Sequence, residues 1–327
     1  MVAGADLQRR DSIGLMVAVC LICGPLAVAQ SLQPPVWAFP GAGPPKAPHA
    51  PGPIHLPGSD LTLPAQALSD RTRAVDWRPA SHPVPPEIVV HSDAPNAGAC
   101  GFCHLPDGRG RPENASVSGL PAGYIVDQVA AMRTGDRKAA RPDWLPSAVM
   151  MNAAALAAPE DIAAAAAYFS ARPFRTHVRV VEARRVRHPQ EAGYLFRETS
   201  GPLEPLGLRI VEAPDSVERF ELRDPDTRYT ARVPPGSLVL GRRLVLTGDG
   251  GRTAACQTCH GARLTGGAQR NAPPLAGRFP GYLYRQLLAF RSGARAGAAA
   301  APMRAVVTSL GDRDMIAAAA YAASLKP

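Results

Sequence analysis

Apolar residues recur at helical spacing in five segments of the chain. The spacing predicts helices over residues 122–134, 159–170, 238–247, 282–292 and 312–325. Pro159 suits a first helical turn because the N–H that it lacks has no partner there, and Glu160 and Asp161 suit the positive end of the helix dipole. Ser237 is placed to cap the third helix. The chain is therefore predicted to be mainly α-helical.

A different pattern fills the region between the second and third helices. Apolar and charged residues alternate over 177–181, 208–211, 220–223 and 229–233, with Pro, Gly and Asp in between. A period of two is typical of β-strands, so we expect a small antiparallel β insert that joins or braces the helical regions.

The segment 31–85 is too rich in Pro for either period to persist. We expect it to be a linker or an arm that lies extended on the first helical region.

The N-terminal 30 residues have the features of a secretory signal. An apolar run follows Arg9 and Arg10, and small residues lead up to Ala29. The run is short for a membrane span and contains a Gly-Pro pair. We expect export to the periplasm with cleavage near Ala29, and an uncleaved membrane anchor is the alternative.

The two helical regions are copies of one unit. Residues 123–137 match residues 281–295 without a gap, with Gly, Tyr, Gln, Ala, Arg, Gly and Arg in register. The predicted organisation is a signal over 1–30, a Pro-rich arm over 31–85, a first domain over 86–173, a β-rich insert over 174–235 and a second domain over 236–327.

Each copy contains the string C-x-x-C-H. The residues are Cys100, Cys103 and His104 in the first copy and Cys256, Cys259 and His260 in the second. This string is the attachment signature of c-type haem, whose vinyl groups take the two thiols and whose iron binds the histidine. A redox dithiol or a four-thiolate zinc site is the alternative, but neither needs a histidine after the second cysteine. We therefore predict two covalently attached haem c groups.

The sixth ligand of each iron is predicted to be a methionine. Met303 lies 18 residues before Tyr321, and the same offset before Tyr168 falls on Met150. A thioether favours ferrous iron and raises the reduction potential. Both methionines are expected in loops before the last helix of each copy, and Met151 is the alternative if the first loop slips by one residue.

Three histidines are rival iron ligands, namely His91, His177 and His188. His91 lies too close before Cys100 to reach the opposite side of a ring easily. The other two fall in the insert and have no counterpart in the second copy, which disfavours bis-histidine ligation.

Two polar pairs repeat between the copies. Tyr124 and Arg137 of the first copy recur as Tyr282 and Arg295 of the second. The arginines could bind haem propionates, because a guanidinium fork suits a carboxylate. They could equally end a surface helix, where a cation is favoured.

These features together resemble the class I c-type cytochromes, and specifically their two-domain, di-haem members. The shared pattern includes a last helix with an Ala-Ala-Tyr run, here residues 161–168 and 314–321. The resemblance implies that His104 and Met150 hold one iron, that His260 and Met303 hold the other, and that the four cysteines form thioether links. The first copy lacks a clear N-terminal helix, and the insert is not part of the common two-domain pattern.

The predicted function is one-electron transfer by a periplasmic carrier that has no catalytic residues. Its partners would be redox proteins, a dehydrogenase as donor and an oxidase or cytochrome as acceptor. The net charge of +9 favours acidic partner surfaces, and without a Lys/Arg block it does not indicate nucleic-acid binding. Membrane association is compatible with this function but not required by it.

Three other functions stay open, one of which is a binding protein without haem. Another is a di-haem enzyme, a peroxidase or a sulfur-compound dehydrogenase, which needs one open iron or an unusual ligand. Cys20 and Cys23 lie in the signal, so no cysteine is spare for that role in the mature chain. The third is a cytochrome subunit of a dehydrogenase or oxidase complex.

Overall fold

The computed structural model describes residues 1–2, 33–44, 52–94, 97–268 and 271–327. The predicted signal sequence, with Cys20, Cys23 and the cleavage position Ala29, lies outside the described residues. Residues 33–327 cluster as one unit. None of the helices in the described ranges has the length and hydropathy needed to cross a bilayer.

The described residues form short strands and helices in the following order. The helices are α1 (Glu87–Val90), α2 (Cys100–His104), α3 (Ala122–Thr134), α4 (Leu145–Leu156), α5 (Pro159–Ser170), α6 (Val217–Glu221), α7 (Ser237–Gly251), α8 (Cys256–His260), α9 (Pro280–Arg291), α10 (Ala301–Val307) and α11 (Asp312–Ser324). The strands are β1 (Pro53–His55), β2 (Thr62–Pro64), β3 (Val178–Glu182), β4 (Arg185–Ala192), β5 (Leu195–Pro205), β6 (Val211–Pro214) and β7 (Tyr229–Val233).

The mainly helical class is confirmed, and the helices repeat in order between the copies. Helices α2 to α5 of the first copy correspond to α8 to α11 of the second. The first-copy counterpart of the long helix α7 is the single turn α1, which agrees with the predicted lack of a clear N-terminal helix in the first copy. Prolines at 85 and 86 come directly before this turn. The proposed cap of α7 is wrong: Gly236, at φ 80°, is the N-cap and Ser237 is the first helical residue.

Close packing of α7 on α11 forms the core of the second copy. A Cβ on Gly241 would lie 2.1 Å from the carbonyl oxygen of Ala317, so this position accepts glycine alone. Ala317 and Ala320 on the facing helix are fully buried. The alanine run therefore provides small residues where two helices approach closely, and larger ones such as Met315 fill the space beside them.

The insert contains a three-stranded sheet in the order β3-β7-β6. Strand β6 pairs with β7 antiparallel, as expected for the insert, but β3 pairs with β7 parallel. Strands β4 and β5 form a separate antiparallel hairpin that the alternation did not predict. Its two-residue turn, Gly193 and Tyr194, has positive φ at both positions (60° and 69°), a geometry that matches the twist of paired strands.

One predicted strand of the insert is wrong. The alternation predicts an extended segment over 220–223, but α6 covers its first two residues and a turn follows. The Ser216 side chain accepts a hydrogen bond from the Arg219 N–H at 3.3 Å and so starts the helical turn. The predicted strand at 208–211 begins only at Val211.

The Pro-rich arm packs on more than the first copy. It contains the two-stranded sheet β1-β2, and the Trp77 indole N–H donates to the carbonyl of Leu222 in the insert at 2.6 Å. Nearer its start, Trp37 stacks on Tyr284 of the second copy with ring centroids 4.7 Å apart. The arm therefore contacts the insert and the second copy, which the sequence did not predict.

A buried carboxyl group joins the insert to the second copy. Glu212 on β6 accepts a hydrogen bond from the Gly281 N–H in the first turn of α9, at 3.1 Å. Burial raises the pKa of Glu212 to about 7, and nearby Arg285 opposes that rise only in part. A folded-state pKa above the unfolded value means that folding favours the protonated acid. The contribution of Glu212 to stability is therefore present at low pH and lost as the pH rises towards 7.

We expect Glu212→Gln to flatten the pH dependence of stability between about pH 4.5 and 7. The wild type should lose up to roughly 3 kcal/mol of unfolding free energy across that window through this group, because one pKa unit corresponds to about 1.36 kcal/mol. Urea denaturation at several pH values measures the effect. Glu87→Gln, which removes a more exposed carboxyl, should leave the slope unchanged. A variant as pH-dependent as the wild type would contradict this assignment.

Candidate functional site

Each C-x-x-C-H string folds as a five-residue helix on the wall of its own cavity. Cys100, Cys103 and His104 line the first cavity, of about 220 Å³. Cys256, Cys259 and His260 line the second, of about 180 Å³. A single water needs roughly 10–15 Å³ on this measure, so both cavities suit a far larger group.

The two histidines are held in one tautomer by the backbone. Nδ1 of His104 donates to the carbonyl oxygen of Ala115 at 2.7 Å, and Nδ1 of His260 donates to that of Pro273 at 2.8 Å. Since a carbonyl can only accept, Nδ1 carries the proton and Nε2 keeps its lone pair. Burial lowers the pKa of both imidazoles, which keeps them neutral. Each ring is thus oriented as a metal ligand.

The four cysteines of the strings form no disulfide, and two of them line each cavity. Burial raises the pKa of Cys100 to about 12 and that of Cys256 to about 11. In the described ranges no three His, Cys, Asp or Glu side chains are placed to hold a metal ion together. This arrangement does not fit the four-thiolate zinc alternative, and it does fit thioether attachment of one ring in each cavity.

The candidate methionines lie in the same cavities as the histidines. Met303 lines the cavity of His260, and Met150 lines that of His104 together with Met151. The expectation that they sit in loops is wrong, because they lie in α10 and α4. Pro302 and Pro146 stand in the first turns of those helices, where proline starts a helix instead of ending one.

The rival histidines do not reach either cavity in the described structure. His91 pairs with Glu87 at 3.1 Å, and His188 with Glu204 at 2.6 Å on the exposed hairpin. His177 is buried under the ring of Phe279, and burial lowers its pKa to about 3. Each of these three histidines therefore makes its contacts outside the two cavities.

The two cavities meet at a polar junction made by both copies. Shared lining residues include Tyr124, Gln128, Arg137, Tyr282 and Gln286. Arg137 donates to Gln128 of its own copy at 3.0 Å and to the Tyr282 hydroxyl of the other at 3.1 Å.

Arg295 mirrors these bonds from the second copy. It donates to Gln286 at 3.0 Å and across the junction to Gln128 at 2.6 Å. Backbone bonds close the junction, with Lys138 N–H donating to Ala294 and Ala296 N–H to Asp136. The buried Arg295 therefore does not end a surface helix. Tyr124, Arg137 and Tyr282 line both cavities, whereas Arg295 lines the second.

Some residues that line the first cavity were missed by the sequence analysis. Arg285 belongs to the second copy, yet it lines the first cavity with its guanidinium 4.8 Å from the ring centre of Trp144. Phe39 of the arm lines the same cavity and packs edge-on to Trp144. The one sequence signal was that Arg285 stands where the first copy has Asp127, a reversal of charge within the matched helix.

Comparison with known proteins gives a family match for the second copy. Residues 248–326 match the family model described as Cytochrome c. The thiosulfate dehydrogenase electron acceptor of Stutzerimonas stutzeri is 42% identical over 81 residues, which are 24% of this chain and 36% of that protein. The chain thus spans about a third of the length of this curated relative.

Solved structures of similar proteins include two types. A thiosulfate dehydrogenase from Marichromatium purpuratum is 28% identical with a TM-score of 0.46, over 70% of this chain and 37% of that one. Cytochrome c4 from Pseudomonas stutzeri is 20% identical with a TM-score of 0.42, over 69% and 93% of the two chains. Cytochrome c4 from Acidithiobacillus ferrooxidans is 20% identical with a TM-score of 0.44, over 69% and 98%.

We expect Cys256→Ala with Cys259→Ala to remove one covalent haem and keep the other. Without thiols the second cavity cannot form thioether links, whereas the first cavity is intact. A mass measurement in denaturant should fall by one haem, and the haem absorbance should fall by about half. The matched double variant Cys100→Ala with Cys103→Ala should lose the other group. Retention of two haems in either variant would refute the attachment sites.

The family match and the repeat lead to one conclusion. The matched region carries the second C-x-x-C-H string, and the first copy has the same string, the same helix order and an equivalent cavity. Two thiols and a metal-ready imidazole in each cavity fit one haem each. Residues 248–326 thus match the cytochrome c family, and the two C-x-x-C-H cavities fit two haem c groups, so the chain resembles a di-haem c-type cytochrome.

Proposed function

We propose that this protein is a periplasmic electron carrier in which a histidine and a methionine hold each iron. The observation that supports it is the pairing inside each cavity: the Nε2 lone pair of His104 with the thioether of Met150, and that of His260 with the thioether of Met303. When bound, haem iron supplies one-electron exchange between its ferric and ferrous states. With a histidine and a methionine as ligands, the iron would keep no position open for a substrate, which favours electron transfer over catalysis.

The surrounding residues suit this role. The cavities are lined mostly by apolar side chains, which exclude water, and the thioethers favour the ferrous state. Arg137 and Arg295 present guanidinium groups at the junction, where they would bind the propionate carboxylates. Because both cavities share this junction, an electron that enters one domain would pass to the other across these shared residues.

We further propose that the donor is a dehydrogenase that oxidises a sulfur compound. The relative from Stutzerimonas stutzeri is described as an electron acceptor of thiosulfate dehydrogenase, and it matches this chain at 42% identity over 81 residues. The net charge of +9 suits docking to an acidic donor surface. Export is supported by the signal features of residues 1–30. The mass of the mature protein tests it, because cleavage after Ala29 removes a known number of residues.

We expect Met303→Leu to keep the second haem attached and to lower its reduction potential. Leucine keeps the apolar bulk but has no sulfur to favour ferrous iron. The weak long-wavelength band of thioether-bound ferric haem should lose about half its intensity, and the reduced-to-oxidised ratio at fixed potential should fall at least tenfold, about 59 mV for one electron.

Met315→Leu is the matched control. It makes the same change in the same domain, but Met315 is a buried core residue that does not line the cavity, so spectrum and potential should stay constant. Met150→Leu and Met151→Leu repeat the comparison in the first domain, where we expect Met150 to be the ligand. An unchanged spectrum in Met303→Leu would remove that residue from the iron site.

We expect the oxidised protein to accept electrons rapidly from a thiosulfate dehydrogenase supplied with thiosulfate. Stopped-flow absorbance measures the rate, which should fall with added salt because the charged surfaces are screened. The same protein with thiosulfate and ferricyanide, but no dehydrogenase, should show no turnover. Turnover there would establish the enzyme alternative, and no reduction in either mixture would reject this donor.

A further inference from the structure

The insert touches the haem-attachment helix of the first domain through one arginine. Arg223 follows α6 in a left-handed backbone conformation, with φ of 59°. Its Nη1 donates to the carbonyl of Phe102 within α2 at 2.7 Å, and its Nε donates to the carbonyl of Leu68 in the arm at 3.1 Å. The guanidinium also lies 3.6 Å from the ring centre of Phe102. These contacts hold a positive charge against α2.

The other charges beside α2 do not cancel this one. Arg71 and Arg111 also lie near Cys103 and carry the same charge as Arg223, whereas Glu113 nearby carries the opposite charge. Arg111 and Glu113 form a buried ion pair at 2.9 Å, so they largely neutralise each other. The cluster of Arg71, Arg111, Glu113 and Arg223 is therefore positive in sum, and Arg223 is the member bonded to α2.

The second attachment helix has different surroundings. Gln257 on α8 donates to the Leu246 carbonyl of its own domain at 2.7 Å. The backbone at Gly267 packs so closely on the Cys259 carbonyl that a Cβ there would be 1.7 Å away. No arginine of the described residues donates to the α8 backbone. The backbone of α2 thus receives a guanidinium group from the insert, and the backbone of α8 receives none from the described residues.

We propose that Arg223 sets the reduction potential of the first haem above that of the second. Oxidation adds one positive charge to the iron, and a fixed positive charge held nearby in a medium of low dielectric constant disfavours it. An electron delivered to either domain would then settle on the first haem. The insert would give direction to a carrier whose two domains are otherwise copies. This inference rests on the proposed haem sites.

Potentiometric titration of the holoprotein tests the proposal. Arg223→Gln should lower the reduction potential of the first haem by about 59 mV, which is a tenfold fall in its reduced-to-oxidised ratio for one electron. The potential of the second haem should not change. Arg223→Lys, which keeps the charge, should stay close to wild type. Arg187→Gln, on the exposed hairpin of the same insert, changes net charge equally and should move neither potential.

Met303→Leu assigns the two waves, because it moves the second haem alone. If Met303→Leu moves neither wave, the proposal that Met303 is an iron ligand fails. That failure is separate from any effect of Arg223. If Met303→Leu moves one wave and Arg223→Gln leaves the other in place, the Arg223 proposal is wrong. Equal losses in Arg223→Gln and Arg223→Lys would assign the effect to packing and also overturn it.

A second variant, which removes a negative charge instead of a positive one, tests the proposal if Arg223→Gln does not fold. Glu113→Gln removes the one negative member of the cluster, so the first potential should rise. A first potential that falls or stays constant in this variant would contradict the electrostatic account. Far-UV circular dichroism of each variant confirms that the helices are retained.

Discussion

The hydrogen bond from each histidine Nδ1 to a backbone carbonyl is the interaction on which the two sites depend. It fixes the tautomer and the ring plane of His104 and His260, and burial then keeps both rings neutral. The acceptors, Ala115 and Pro273, lie in loops that follow the attachment helices. Those loops therefore have to fold back over α2 and α8, and the cavities form in the space that remains.

The repeated and the unrepeated parts of the chain have different roles. The repeated residues build the cavities and the junction, where Gln128 accepts from both Arg137 and Arg295. The unrepeated parts act on one site alone: Arg285 and Phe39 line the first cavity, and the insert places a charge beside the first attachment helix. A duplicated scaffold thus acquires two unequal halves from the segments added to it.

The sequence predicted what depends on local spacing and missed what depends on distant contacts. The C-x-x-C-H strings, the long helices and the offset from Tyr168 to Met150 are local features. The structure places both strings, Met150 and Met303 at the cavities. The parallel pairing of β3 with β7 and the position of Arg285 depend on partners far along the chain. At residues 220–223 one alternation suited both strand and helix, and the cap at Ser216 decided between them.

The arm's place in the fold has a consequence for how the molecule is made. The Ala38 carbonyl accepts a hydrogen bond from Arg285, 247 residues later, and Trp37 stacks one residue earlier on Tyr284. A chain synthesised from its N-terminus cannot complete these contacts until nearly all of it has emerged. The first cavity consequently stays open on the Phe39 side during synthesis, and closure of that side is among the last steps of assembly.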